Sequence, residues 1–109
     1  MAEVRKILGQ INPAATTAEI LYQVPTSKSA VTSTINVCNQ GSSAATYRLS
    51  VRPSTITLAA LHYLAYDVTL AANDSIAITI GACMSAADVL EVYASTATMS
   101  FSAFGAEIT

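Results

Sequence analysis

The sequence contains little of what a nucleic-acid-binding protein needs. It has no tryptophan, and its five tyrosines are scattered, so aromatic platforms on which bases could stack are hard to assemble. The five basic residues form no long stripe, and the formal net charge is −2. We therefore predict no nucleic-acid partner.

Long apolar runs are also lacking. None approaches the roughly 18 residues expected of a membrane span. The opening stretch MAEVRKILGQ carries charges, but it has neither the apolar core nor the small-residue cleavage site of a secretory signal. These absences predict a soluble protein made in a cytoplasm, with no membrane partner.

The two cysteines, Cys38 and Cys83, are too few for a disulfide framework. In a reducing compartment we predict two free, half-buried thiols. A bridge between them requires that their strands be neighbours.

Groups that could perform catalysis are scarce. The single histidine, His62, lies five residues before Asp67, and an odd separation along a strand places two side chains on opposite faces. No serine lies in a nucleophile-elbow motif. The chain is therefore predicted not to be an enzyme, and His62 is predicted to be structural.

Metal and cofactor sites are not indicated either. The soft metal ligands Cys38, His62 and Cys83 are far apart in the sequence, and the four glycines form no phosphate-binding loop. Asp74 and Asp88 each precede a strand, where a carboxylate usually accepts backbone N–H bonds in a turn instead of binding calcium. A shallow sugar site needs only an aromatic ring and a few polar groups, and Tyr63 and Tyr66 are candidates for the ring by residue type. The alternative is that both are ordinary core or surface tyrosines.

The composition is dominated by small apolar and hydroxyl residues. With 109 residues the chain is predicted to form one domain, residues 1–109. Hydrophobic residues make up 52% and charged residues 11%, against about 25% charged in an ordinary soluble domain. This balance predicts a surface rich in Ser, Thr and Ala, much of it covered by partners.

The strongest folding signal lies in residues 29–52. In the first half, Val31, Ser33, Ile35 and Val37 share one predicted strand face, and in the second half a face is shared by Ala45, Tyr47, Leu49 and Val51. The turn-prone residues 39–43 separate the halves, which predicts an antiparallel hairpin. Its outer face is predicted to be polar and suited to contact another protein; it comprises Thr32, Thr34, Asn36, Thr46, Arg48, Ser50 and Arg52.

Other segments add strands. We predict a strand or extended arm over residues 1–11, and strands over 18–24, 62–70, 76–81, 89–94, 99–104 and 107–109. Residues 55–61 are predicted as a helical turn or a loop that crosses between sheets, and residues 82–88 as a connection. About eight short strands with frequent turns predict an all-β, antiparallel β-sandwich, either jelly-roll-like or immunoglobulin-like.

Seven short pieces that span nearly the whole chain carry a family resemblance. They are LGQINPAATT, LYQVP, STINVCNQG, YRLSVRP, HYLAYDVTLAAND, VLEVYAS and FSAFGAEI. Together they resemble a family of small virion proteins of tailed bacteriophages, common in phages of marine bacteria and cyanobacteria. The resemblance implies a virion location and a structural role, as capsid cement or decoration or as a neck, tail, baseplate or fibre component.

Our leading hypothesis from this resemblance is a capsid decoration protein that binds the major capsid protein as a homo-oligomer, predicted to be a trimer. The chain ends, residues 1–11 and 104–109, are the predicted arms that cross to neighbours. Ile7, Leu8, Phe104 and Ile108 are their predicted anchors, with core positions as the alternative for all four, and Arg48 and Arg52 are predicted interface ion-pair partners. The rival classes are a tail, neck, baseplate or fibre component and a receptor-binding or carbohydrate-binding module.

Overall fold

The computed structural model describes residues 2–53 and 56–109. These residues form eight strands and one 3-10 turn, Ala60–His62. The strands are β1 (Glu3–Ile11), β2 (Glu19–Gln23), β3 (Ser29–Asn39), β4 (Ala45–Arg52), β5 (Tyr63–Leu70), β6 (Ser75–Met84), β7 (Val89–Ala94) and β8 (Met99–Ile108).

The strands form two antiparallel sheets packed as a sandwich. The first sheet has the order β1-β8-β3-β6 and the second the order β2-β7-β4-β5. Strands are therefore paired from the outside of the chain inward, β1 with β8, β2 with β7, β3 with β6 and β4 with β5, as if one long hairpin had been rolled up. This connectivity is a jelly roll, so the predicted all-β sandwich is confirmed and its immunoglobulin-like variant is excluded.

The predicted hairpin over residues 29–52 is wrong. β3 pairs with β6 and β8, whereas β4 pairs with β5 and β7, so the two strands lie in different sheets. Both strands exist where they were predicted, but the connection between them crosses the sandwich. A period of two identifies a strand and its buried face, and it does not say which strand is its neighbour.

Bulges account for the errors in predicted strand faces. The register of β3 shifts at Ser33 against both neighbours, so Ala30 and Thr32 are buried before the shift, and Ile35 and Val37 after it. Thr32, predicted to be on the outer face, is therefore in the interior. Alternation holds in β4 up to Leu49, in β7 from Leu90 and in the first half of β8. Ser50, also predicted to be on the outer face, is 1% exposed and lies between its cross-strand neighbours Tyr63 and Glu91.

β6 does not end at Gly81 as predicted. Gly81 adopts a φ of +58°, which glycine tolerates, and the strand continues through this irregularity to Met84. Of the predicted segment 55–61, Thr55 lies outside the described residues. The 3-10 turn that follows connects β4 to β5 within one sheet, so the predicted crossing between sheets does not occur here.

The two chain ends, predicted as arms, pair with each other. β1 runs antiparallel to β8 from Glu3, opposite Ile108, to Ile11, opposite Phe101. The Ala2 and Thr109 backbones exchange hydrogen bonds of 3.2 and 2.9 Å. Of the two alternatives predicted for residues 1–11, a strand or an extended arm, the structure has a strand over Glu3–Ile11, and Met1 lies outside the described residues.

One side of the sandwich is closed and the other is open. On the closed side, β1 and β2 approach so closely that a Cβ atom at Gly9 would lie 2.2 Å from the Leu21 carbonyl oxygen. On the other side lie the edge strands β5 and β6. The core between the sheets centres on Phe101, whose ring meets that of Tyr47 edge-on at 6.3 Å, with Ile35, Leu49 and Leu90 fully buried around them.

A buried amide joins the crossing loops at one end of the sandwich. Asn39, at the end of β3, is fully buried, and its side chain bonds to the loops β3–β4, β5–β6 and β7–β8. Its Nδ2 donates to the carbonyl oxygens of Ser43 (3.0 Å), Leu70 (3.2 Å) and Ala71 (3.3 Å), and its Oδ1 accepts from the Gly41 N–H and the Thr98 hydroxyl, both at 3.0 Å.

The fourth crossing loop is joined to the same end by a second asparagine. Asn12 Nδ2 donates to the carbonyl oxygens of Ala97 (3.0 Å) and Met99. All four loops at this end are thereby linked through two asparagine side chains, which satisfy backbone groups that the loops leave without ladder partners.

We predict that Asn39→Ala lowers the free energy of unfolding by at least about 3 kcal/mol, because several buried backbone groups lose their partners at roughly 1–3 kcal/mol each. Asn39→Asp, of the same shape, should also destabilise, since a carboxylate cannot donate to three carbonyl groups. Urea unfolding followed by circular dichroism measures both. Asn36→Ala, on the same strand but only partly buried, is the control and should change stability by no more than about 0.5 kcal/mol; a loss at Asn39 no larger than this would refute the role assigned to the amide.

Candidate functional site

His62 has a structural environment. It is 6% exposed, and its Nδ1 accepts the Ala59 N–H at 2.9 Å within the 3-10 turn. The carboxylate of Asp67 is bound instead by Arg48, at 2.7 and 3.3 Å. The structure therefore does not bring the histidine and this carboxylate together as an acid–base pair.

The turn carboxylates behave as predicted. Asp74 Oδ1 accepts the Ser75 N–H and Asp88 Oδ2 accepts the Ser85 N–H, each at 2.8 Å. Within residues 2–53 and 56–109, no three His, Cys, Asp or Glu side chains gather as metal ligands would. No helix in the same residues is long and apolar enough to span a membrane.

The two cysteines are free, although their strands are neighbours. Cys38 is half-buried as predicted, but Cys83 is exposed, because it lies on the edge strand β6. In the β3–β6 pairing, Cys38 lies opposite Ser75 and Cys83 lies opposite Val31. At about 3.3 Å per residue, this register holds them on the order of 20 Å apart, well beyond disulfide reach.

One buried charged cluster lies at the end of the sandwich opposite Asn39. Glu107 is 5% exposed and points between the sheets from β8. Its Oε2 accepts the Tyr22 hydroxyl at 2.7 Å, and its Oε1 lies 3.3 Å from Lys6 Nζ and 3.5 Å from Lys28 Nζ. The cluster thus connects β1, β2, β8 and the loop before β3.

The electrostatics of this cluster favour a fixed carboxylate. The Tyr22 hydrogen bond, with help from Lys6 and Lys28, lowers the pKa of Glu107 below its ordinary value. Burial, followed by the bond to Glu107, raises the pKa of the Tyr22 hydroxyl. Every charged group in the cluster has a partner, so its chemistry is that of a structural ion pair and not of a proton-transfer site.

Arg48 is the centre of a second cluster, on the outer face of the second sheet. Its guanidinium lies between two tyrosine rings, 4.3 Å from the ring centre of Tyr66 and 4.3 Å from that of Tyr93. The bidentate bond to Asp67 is the main reason that the pKa of Arg48 is raised. Arg48 was predicted to pair with another protein, but its charge is already matched within the chain.

Beside Arg48 the sheet surface forms a cleft of about 250 Å³. Ser50 lies in its floor, between Tyr63 on β5 and Glu91 on β7 in the cross-strand register. Arg52 Nε donates to Glu91 Oε1 at 2.9 Å, and Arg52 Nη1 donates to the Ile56 carbonyl oxygen at 3.2 Å. Arg52 is thus also paired within the chain.

The remaining predicted anchors divide into three environments. Ile7 and Phe104 lie opposite each other on β1 and β8 and are 52% and 38% exposed, on the outer face of the first sheet. Leu8 lies in the core, and Ile108 is half-buried near the chain end. Of these four residues, only Ile7 and Phe104 form an exposed pair.

The open side of the sandwich, which the sequence did not reveal, exposes apolar side chains of two edge strands. We define it as Ala65 and Val68 on β5 and Ile76, Ile78 and Ile80 on β6. Val68 lies opposite Tyr47, Ile76 opposite Val37 and Ile78 opposite Ile35, so these three share the faces of buried core residues. Val68 and Ile76 are nevertheless 38% and 41% exposed, because neither edge strand is covered there.

No family model matches the chain, and no curated protein matches it. Two solved structures, both of a pentameric capsid protein isolated from metagenomic phage sequences, align with 93% of the chain at 14% identity and a TM-score of 0.29. The chain spans 62% and 61% of the length of those two proteins.

The residues that organise these sites were mostly absent from the sequence predictions. Glu107 gave no signal because a single carboxylate near a chain end is usually exposed. Glu91 and Tyr93 could have been found from their alternation along β7, which places them on one outer face. Their proximity to Tyr63 and Arg48 depends on the strand order, which the alternation does not contain.

We predict that the Glu107 cluster makes stability depend on acid pH. The folded-state pKa of Glu107 is lowered, so its stabilising effect is complete above its unfolded pKa of about 4.3 and is lost as the pH falls through the lower folded value. Glu107→Gln should cost about 1–3 kcal/mol at pH 7 by removing charge-assisted bonds. The difference between the two proteins should shrink below about pH 4. Urea unfolding from pH 7 to pH 3 measures this, with Glu3→Gln as the exposed control; a gap that is constant with pH would contradict the assignment.

Proposed function

We propose that this chain is a non-enzymatic structural subunit of a bacteriophage particle, a cement or decoration protein that acts on the head as a homo-oligomer. The open side carries the oligomer part of the proposal. The virion part rests on the sequence resemblance quoted above, which extends over nearly the whole chain.

The open side needs a cover for a physical reason. Its side chains face the core and continue the buried surfaces of Ile35, Val37 and Tyr47, yet water reaches them. Removing such surface from water is favourable in proportion to its area. A second subunit that packs against β5 and β6 would complete the core that one subunit leaves unfinished.

The edge strands also lack the usual protection against pairing. Soluble proteins commonly place lysine, proline or other charged residues on exposed edges. The ten residues of β6 contain no charged side chain and no proline, and β5 contains one charge, Asp67, which is bound to Arg48. An edge of this composition is suited to permanent contact with another chain.

A subunit of this kind fits the surface of a shell. It needs to bury area against like copies and against the major capsid protein, and low surface charge reduces the desolvation that such contacts cost. We predict three copies in the oligomer, with the exposed pair Ile7 and Phe104 as a second contact surface toward the capsid.

We predict that Val68→Lys and Ile76→Lys each weaken self-association at least about tenfold, because a lysine would be buried in an apolar contact. Sedimentation velocity over a concentration series measures the association, and circular dichroism verifies the fold. Ile7→Lys, at a more exposed isoleucine on the outer face of the first sheet, is the control and should leave the oligomer intact. A monomeric wild type, or dissociation by Ile7→Lys alone, would count against the open side.

The head location has its own test. Particles separated into heads and tails are analysed by mass spectrometry, and a cement protein should remain with the heads in high copy number. Recovery with the tails would assign the subunit to the neck, tail, baseplate or fibres, and would leave the self-association result unaffected.

A further inference from the structure

We propose that the cleft beside Arg48 is a binding site for one neutral sugar ring of a glycan. The cleft lies on the outer face of the second sheet, between strands β4, β5 and β7. This site goes beyond the proposed structural role and does not depend on it.

The shape of the cleft follows from residue size along one cross-strand row. Tyr63, Ser50 and Glu91 lie side by side on β5, β4 and β7, and the small serine leaves a hollow between two larger side chains. The segment containing Thr16 and Ala18 and the residue Leu58 close the rim. At about 250 Å³ the cleft is smaller than the roughly 300–1,000 Å³ of sites for drug-sized ligands, which limits it to about one ring.

The charges around the cleft favour a neutral ligand. Arg48 is neutralised by Asp67 and Arg52 by Glu91, so neither cation is free to hold a phosphate or a carboxylate. Arg52 engages Glu91 Oε1, and within the described residues no donor is bonded to Oε2. A carboxylate oxygen of this kind accepts hydrogen bonds, and the donors that match it without adding charge are hydroxyl groups.

The walls supply the apolar part of the recognition. Tyr63 lines both this cleft and a neighbouring hollow formed with Leu58, Ala59, Ala60 and Tyr66, so its ring stands between the two. A sugar ring presents C–H groups on one face and hydroxyls around its edge, which suits a tyrosine wall beside a carboxylate. The neighbouring hollow leaves room for the next ring of a glycan.

The tyrosine walls of the site are already packed against neighbouring side chains. Tyr63 packs edge-on against Tyr66 at 4.8 Å, and the ring centres of Tyr66 and Tyr93 each lie 4.3 Å from the Arg48 guanidinium. Side chains already fixed by their neighbours lose little conformational freedom on binding, which helps a small ligand with few contacts.

The test is a titration of the ¹⁵N-labelled full chain followed by amide chemical shifts. The probes are glucose, galactose, mannose, N-acetylglucosamine and N-acetylgalactosamine, each to about 50 mM, since one ring in a shallow site is expected to bind with a Kd on the order of 1 mM. We expect saturable shifts at Ser50, Glu91 and Tyr93 with at least one of these sugars.

Three variants decide whether the shifts report the cleft. Tyr63→Ala removes the wall and Glu91→Gln, which keeps the size of the side chain, removes the carboxylate; each should weaken binding at least about tenfold. Leu61→Ala, at an 84% exposed residue outside the cleft, should bind as the wild type does. Two site variants are used so that, if one of them fails to fold, the other still measures the contribution of the cleft to binding.

Several results would overturn the sugar site. They are the absence of saturable shifts with all five sugars, shifts that persist in both site variants, and saturable shifts of the same amides with inorganic phosphate in place of a sugar. Sedimentation of the same samples reports self-association separately, so failure here is distinguishable from failure of the proposed oligomer.

Discussion

The buried amide of Asn39 is the interaction on which the arrangement of the two sheets depends. A jelly roll sends its chain repeatedly from one sheet to the other, and each crossing leaves backbone groups without ladder partners. Asn39 bonds to three of the four crossing loops at its end of the sandwich, and Asn12 connects the fourth. A hydrophobic residue could fill the same space, but it could not hold the loops at a fixed spacing.

At the opposite end of the sandwich, charged side chains connect the strands instead of an amide. There Glu107 gathers a tyrosine and two lysines from different elements, and their bonds join β8 to β1, to β2 and to the loop before β3. The amide does not titrate, whereas the Glu107 carboxylate loses its charge at acid pH. The two ends of the domain are therefore expected to differ in their response to acid, although they have the same structural task.

Much of the secondary structure could be predicted from the sequence because alternation along a strand reflects burial on one face. β4 up to Leu49, β7 from Leu90 and the first half of β8 follow it, and the apolar residues buried there are those that the pattern indicated. Ser50 departs from it, since it is buried on the face that was predicted to be outer. The pattern fails at Ser33, where one extra residue reverses the faces, and at Gly81, where a left-handed residue lies inside a strand. Asn39 was assigned to a turn by residue type, since a polar residue beside glycine and serine usually lies in one.

The site was less predictable than the fold for a related reason. Tyr63 and Tyr66 were candidates by type, but the cleft needs Ser50 and Glu91 from two other strands, and only the strand order brings these together. The same holds for the open side, whose isoleucines were correctly assigned to a strand. That this strand lies at an edge depends on the pairing of the whole chain.

The pairing of β1 with β8 has a consequence for the order of events during synthesis. Along the described chain β1 has β8 as its ladder partner, and Glu3 lies opposite Ile108. A strand made near the start must therefore remain without its partner until a strand near the end has left the ribosome, and contacts between such distant residues form slowly. In that interval β3, which also pairs with β8, can pair only with β6. The nascent domain thus presents unpaired strands in its first sheet until β8 is inserted. Because such strands can pair with those of other chains, the concentration of folding chains limits the yield of folded protein.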